Sequence, residues 1–377
     1  MKKVVLGVLA GLLLFSFSSF AGVIKVGALV SVTGPTSFLG QPEKNTLEMI
    51  VNQINKNGGI NGDKIKLIIY DTKGQPGATV ILARKLIYSD RVVAIIGPTR
   101  SGSTLAIIPL VQRAKVPLIS MAASHKITSP VKKWVFKTAP SDSLAVERIY
   151  SYMQDHGIKN IAIITAETGF GESGKEELER LAKKYNINIL DKETFGATDT
   201  NMTSQLIKIK NTKGVQAIVC WGTNPGPASV AKEVKQLGIK VPLFMSHGVA
   251  SKRFIQLAGD AANGIILPAG KLLVADQLPD NDPQKKVLLK YKEMYEKLYG
   301  PVSTFGGHAY DAISMLKEVL EKGARSRAAI RDGLEHIKHF VGITGIFTYS
   351  KTDHAGLKPS DFCIVKIENG NWKLIAY

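Results

Sequence analysis

The feature that most constrains this chain is a repeated alternation of short, nearly unbroken apolar runs with segments of helical spacing. Residues 23–30, 65–70, 92–96 and 117–120 are runs of this kind, not alternating apolar and polar positions. A strand that is apolar on both sides has both sides covered, and helices between successive strands supply that cover in a parallel sheet. The intervening segments fit. Residues 41–56 place Leu47, Ile50, Val51 and Ile54 at helical spacing and stop at Asn57-Gly58-Gly59, a glycine-rich helix end. Segments 76–89 and 102–114 follow the same pattern.

A second round of the rhythm starts near Ser141. It gives helices over 142–155, 173–185, 201–211 and 226–237, and strands over 161–165, 187–190, 217–221, 243–246 and 264–267. Residues 284–298 and 308–339 read as helical, and 362–366 with 372–375 as a strand pair. The fold class predicted is α/β, with two doubly wound parallel-sheet lobes. No low-complexity linker separates the halves, so short ordered crossings join them, which suits a hinge. In such sheets a ligand sits beyond the carboxyl ends of the strands. That places 31–40, 97–103, 121–128, 167–174 and 246–251, all rich in Gly, Ser, Thr or Ala, around the expected site.

The first residues speak to compartment. Lys2 and Lys3 precede an apolar or glycine run over 4–14, and Ser19 and Ala21 are the small residues that a signal peptidase reads. The run is short for a membrane span, which needs about 20 residues. Residues 1–21 are therefore expected to be a signal peptide cleaved after Ala21, releasing a periplasmic protein. Neither Cys220 nor Cys363 lies near that point to carry a lipid, and an essential disulfide between them is not expected. The formal charge of +18 falls to +16 without the two leader lysines. The basic residues are scattered, with no dense block interleaved with aromatics, so nucleic acid is not an expected partner.

Three motifs bear on chemistry. Arg100-Ser101-Gly102-Ser103-Thr104 follows a strand and opens a helix, where hydroxyls and free N–H groups bind an anion; ordinary capping is the plainer alternative. Met121-Ala122-Ala123-Ser124 ends the neighbouring strand with side chains small enough to expose the backbone, and two such loops would converge on one carboxylate. Arg100 itself is expected to point to solvent. Second, Gly169-Phe170-Gly171-Glu172-Ser173-Gly174 matches a dinucleotide fingerprint. Three residues separate it from its strand, Glu172, Glu176 and Glu177 crowd the place of a pyrophosphate, and Leu178 stands where close packing wants a small residue. No cofactor is expected. Third, Glu335, His336 and His339 resemble a metal pair but read as a turn of a basic surface helix, so no metal is expected either. No H-E-x-x-H, metal-spaced cysteine pair or G-x-S-x-G is present, and no acid flanks Ser124-His125 as a triad would require. An enzyme is not expected.

Taken in order, Val32-Thr33-Gly34-Pro35, Asn57-Gly58-Gly59-Ile60-Asn61-Gly62, Ile96-Gly97-Pro98 with Ser103-Thr104, and Phe170-Gly171-Glu172 resemble the periplasmic leucine/isoleucine/valine-binding proteins of ABC importers, over essentially the whole mature chain. The resemblance implies two lobes closing around a solute through a three-segment hinge near 139–142, 267–270 and 348–352. The first lobe would comprise 22–140 and 269–347, the second 141–268 and 348–377. It implies a ligand carboxylate held at Ser101, Ala122 and Ser124 and covered by Phe170, with Leu39 and Phe305 lining a side-chain pocket. It also implies an inner-membrane permease partner and a monomer. One position departs. Where amino-acid binders grip the ammonium with a glutamate, this chain has His247, and Thr223 stands for a tyrosine that often helps. Neutral imidazole accepts a hydrogen bond without neutralising an ammonium. Two ligands stay open: a carboxylic acid without an α-amine, aromatic or branched, or an amino acid held by another acid such as Glu167. A ligand-sensing subunit of the same fold is the further alternative.

Overall fold

A computed structural model describes residues 22–377; the expected leader and its cleavage point lie outside the described residues. The first lobe is built on five parallel strands in the order β2 (Lys64–Asp71), β1 (Val23–Val30), β3 (Ala94–Ile96), β4 (Leu118–Ser120) and β5 (Val135–Lys137). Helices α1 (Ser37–Lys56), α2 (Pro76–Arg84) and α3 (Ser101–Ala114) connect them. The apolar runs end up buried as their composition demands, with Val26, Ala28, Leu29, Val30, Ala94, Ile95 and Ile96 wholly inaccessible.

The second lobe carries seven strands in the order β14 (Asn371–Ala376), β13 (Phe362–Glu368), β10 (Ile266–Gly270), β9 (Leu243–Met245), β8 (Ala217–Trp221), β6 (Asn160–Ala166) and β7 (Asn188–Phe195). Strands β6 to β10 pair in parallel, whereas β13 runs antiparallel to both β10 and β14. The sheet is therefore mixed at one edge, and β11 (Phe340–Val341) and β12 (Ile346–Phe347) form a separate antiparallel ribbon. Helices α4 (Asp142–Asp155), α5 (Gly169–Ala182), α6 (Thr203–Asn211), α7 (Gly226–Gln236) and α8 (Lys252–Ala258) cover it.

Several expectations need revision. The helical stretch 308–339 is two helices, α10 (Thr304–Glu321) and α11 (Arg327–Glu335), broken where Gly323 takes φ +93°. His339 lies past the end of α11 with φ +51°, and Glu335 is buried, accepting from Arg331 at 2.8 Å and from His354 at 3.3 Å. Glu335 thus closes an internal ion network rather than joining His336 and His339. Among the described residues there is no cluster of three metal-ligating side chains. Residues after Thr348 remain with the first lobe: Tyr349 donates to the Lys137 carbonyl at 2.8 Å and His354 stacks on Phe136 at 4.0 Å. The third crossing therefore follows Leu357, which packs in the same core, and precedes Phe362. Helix α9 (Lys285–Tyr299) serves both sides. Its Tyr291 hydroxyl bonds Thr46 of α1 at 2.7 Å, while Leu288 sits in a core shared with the second sheet. Cys220 and Cys363 are buried and unpaired among the described residues.

Candidate functional site

The carboxyl ends of both sheets face a single cleft of about 220 Å³. Every loop that sequence placed at a strand end contributes to it, as do Gly74, Pro76, Ala139, Thr223, Phe305 and His308. Of the eight residues singled out, Leu39, Ser101, Ala122, Phe170, Thr223, His247 and Phe305 line the cleft. Ser124 stands just behind, its backbone N–H donating to Ser101 Oγ at 3.2 Å.

One end of the cleft is made of main chain. Helix α3 opens at Ser101 without a side-chain cap, and the N–H groups of Ser101, Gly102 and Ser103 make no hydrogen bond within the described residues. The N-terminus of α5 meets it from the other lobe. The approach is so close that a Cβ on Gly169 would stand 2.9 Å from both Cα and N of Gly102. Two positive helix ends thus converge where an anion would be favoured. The other glycines of the 169–174 motif are also demanded by packing. A Cβ at Gly171 would meet the Ala166 carbonyl oxygen at 1.8 Å, and one at Gly174 the Trp221 ring at 2.1 Å. These close approaches account for the fingerprint without a nucleotide. Arg100 does not point to solvent as sequence suggested. It lines the cleft, donates to the Gly74 carbonyl at 2.9 Å, and burial lowers its pKa.

Behind this end lies a buried pair that sequence reading passed over. Lys137 is fully inaccessible and spends its ammonium on Ala123 O (2.7 Å), Ser124 O (3.3 Å) and Ser141 Oγ (3.1 Å). It therefore clamps the small-residue loop to the first crossing. Asp142, equally buried at the start of α4, compensates its charge. Burial pushes the Lys137 pKa down and that of Asp142 up, and each charge opposes the shift of the other. The signal was present: a lysine closing the apolar run Trp134-Val135-Phe136, which Lys132 and Lys133 set off on the other side.

The opposite wall is aromatic and uncharged. His247 follows β9 in a short 3₁₀ turn and is 7% exposed. Its ring meets Phe170 (5.4 Å), Trp221 (5.8 Å) and Phe362 (5.4 Å) edge-on, and its Nε2 lies 3.9 Å from Asp142 Oδ1. Neither ring nitrogen is hydrogen-bonded within the described residues. Desolvation, with smaller contributions from His308 and Lys137, depresses the His247 pKa to about 3, so the ring is neutral. His308 on α10 is likewise held at about 3 by burial, with Nδ1 2.9 Å from Thr344 Oγ1. Among the described residues that line the cleft none carries a carboxylate. Glu167 is exposed, outside the cleft, and accepts from Thr194 at 2.9 Å.

Two doubly wound lobes, chain crossings between them and a cleft lined from both sides define the class: a type I two-lobed binding fold. The periplasmic binding protein family model matches residues 23–371, and the chain belongs to that family. It is 26% identical over 313 residues to the leucine-, isoleucine-, valine-, threonine- and alanine-binding protein of Pseudomonas aeruginosa, covering 82% of this chain and 81% of that one. An extracellular ligand-binding receptor from Rhodopseudomonas palustris HaA2 superposes with TM-score 0.87 at 27% identity, covering 93% of this chain and 99% of that one. A branched-chain amino acid transporter substrate binding protein from Streptococcus pneumoniae, in complex with isoleucine, shares the fold. Its TM-score is 0.82 at 24% identity, covering 94% and 100%. No helix among the described residues is long and apolar enough to cross a membrane.

Proposed function

We propose that this protein is the solute-binding component of an ABC importer and that it captures a small carboxylic acid without an α-amine, acting in the periplasm as a monomer. One observation carries the choice of ligand: the described lining holds two converging helix N-termini and one arginine, with no carboxylate. An anion is stabilised at the first end. A ligand ammonium would lie unpaired in a desolvated site, at a cost of several kcal/mol. Asp142 is no substitute, because it is fully buried and does not line the cleft. The relatives named for branched-chain amino acids support the second reading, an amino-acid ligand, which requires the ammonium to find a partner other than Glu167.

In the proposed cycle Ser101, Ala122 and the Ser124 loop hold the carboxylate, Phe170 covers it, and Leu39 and Phe305 pack on the hydrocarbon. The lobes close on the ligand by population shift and present the closed form to a permease. No bond is made or broken.

The test is a thermal-shift and calorimetric screen of plain, oxo, hydroxy and amino acids on matched carbon skeletons. Amine-free acids bind, and Ser101→Ala weakens each of them about ten-fold or more, since it removes a ligand bond and strands the Ser124 N–H. His247→Glu moves preference toward the amino acid. Tight binding of amino acids by the natural protein, with no response from amine-free acids, disproves the ligand assignment.

A further inference from the structure

His247 lines the cleft with a chemistry that the capture of a carboxylate leaves unused. A histidine that merely fills a core has its ring nitrogens satisfied, since a buried unpaired polar atom costs about 1–3 kcal/mol. The neighbouring Ser246 shows the satisfied case: its Oγ donates to Gly222 O at 3.0 Å. His247 is 93% buried, lines the cleft, and has both ring nitrogens without a partner in the described residues. Phe170, Trp221 and Phe362 fix the ring from three sides, so it cannot swing away to find one.

His308 stands beside it. The two imidazoles line the cleft together and share the wall of a further void of about 10 Å³ behind it, no larger than a single water. Thr344 Oγ1 engages His308 Nδ1, which leaves Nε2 as the nitrogen free to meet a ligand. The carboxylate nearest His247 is Asp142, whose Oδ1 lies 3.9 Å from Nε2 outside the cleft lining, and Thr223 lines the cleft with the two histidines. The pair therefore offers hydrogen-bond donors and acceptors with no net charge.

Ligand groups differ in how they meet such a pair. A methylene leaves the imidazole nitrogens stranded. An ammonium has donors only and brings an unbalanced charge. A second carboxylate has acceptors only and brings the opposite one. A hydroxyl donates to one ring and accepts from the other. Building on the amine-free carboxylate reading, we infer that His247, with His308, is a specificity-determining site for an uncharged hydroxyl on the ligand, so that the solute class is hydroxy-carboxylic acids.

Calorimetry on the mature protein tests this with 4-methylpentanoate and 3-phenylpropanoate, their 2-hydroxy and 3-hydroxy derivatives, and leucine and phenylalanine. At least one hydroxy acid binds about ten-fold tighter than its unsubstituted parent. His247→Phe, which keeps an aromatic ring among the three aromatic neighbours, removes that advantage, read as the ratio of hydroxy-acid to parent-acid affinity within the same variant. His247→Gln, with one donor and one acceptor, restores part of it, and a far-ultraviolet spectrum with a melting curve shows that each variant is folded. If hydroxy acids bind no tighter than their parents, or if the advantage survives in His247→Phe, the hydroxyl site is wrong although the carboxylate site stands. If only leucine or phenylalanine binds, or no acid does, the amine-free reading itself falls and takes this inference with it.

Discussion

The two ends of the cleft reach opposite electrostatic solutions with neighbouring residues. The α3–α5 end attracts negative charge through unpaired main-chain N–H groups and helix dipoles, and its one lining cation, Arg100, is occupied with the Gly74 carbonyl. The His247 end presents a neutral lining to the cleft, an imidazole packed edge-on against Phe170, Trp221 and Phe362. Backbone donors need no particular side chain, only small residues that permit approach, which is why that end is written in Gly, Ser and Ala. The aromatic end depends on side-chain identity, so a change at one position there alters what is admitted. Between them lie Lys137 and Asp142, both fully buried, and the charge of each opposes the pKa shift that burial imposes on the other.

The contrast between the two ends can be broken most severely at Lys137. Lys137→Met leaves Asp142 as an uncompensated buried charge and frees the 122–124 loop, and about 3–5 kcal/mol of stability is lost in urea denaturation. A loss below about 1 kcal/mol would show that the two residues do not share charge. Combining it with Asp142→Asn recovers part of the loss.

The neutrality of the aromatic end makes a prediction about pH. The unfolded imidazole titrates near 6.5 and the native His247 at about 3. A depressed native pKa means that its contribution is whole above pH 6.5 and is lost as pH falls toward 3. Over that window the stability of the natural protein falls more steeply than that of His247→Phe by up to about 1.4 kcal/mol per pH unit. Asp142 and Asp311, raised by burial, act in the opposite sense and gain stability as pH falls through their native pKa. The difference between the two proteins therefore isolates the histidine, where the raw slope does not. Parallel stability curves would mean that His247 is charged in the native state and that the aromatic end tolerates cations.

The smallest effect sharpens the comparison from the main-chain end. Ser124 Oγ is buried without a partner among the described residues, whereas its N–H and C=O are both engaged, by Ser101 and Lys137. Ser124→Ala is expected to change stability and acid binding by less than about 0.5 kcal/mol. A ten-fold loss of binding would show that the hydroxyl, not the backbone, holds the carboxylate.

Much of the fold is legible in the residues because a buried parallel strand and its covering helix each leave a local period. Helix α4 spans 142–155 as its pattern predicts, and all five loops expected at strand ends line the cleft. Strand β5 escaped because lysines on both sides, Lys133 and Lys137, cut its apolar run to three residues, and with it went Lys137. The antiparallel β13 at the edge of the second sheet has no local mark of direction, since strand direction depends on where the chain re-enters. His247 was visible as an unusual residue at its position, but a histidine in a loop does not state its charge.

Local spacing thus sufficed for two α/β lobes and for the loops that gather between them, because periodicity and glycine placement act over a few residues. What required the packed molecule was the electrostatic character of the site. The neutrality of His247 and His308, the balance of Lys137 with Asp142 and the turn of Arg100 toward the cleft all follow from desolvation by residues distant in the chain. A pKa answers to the whole surrounding volume, which no stretch of sequence contains.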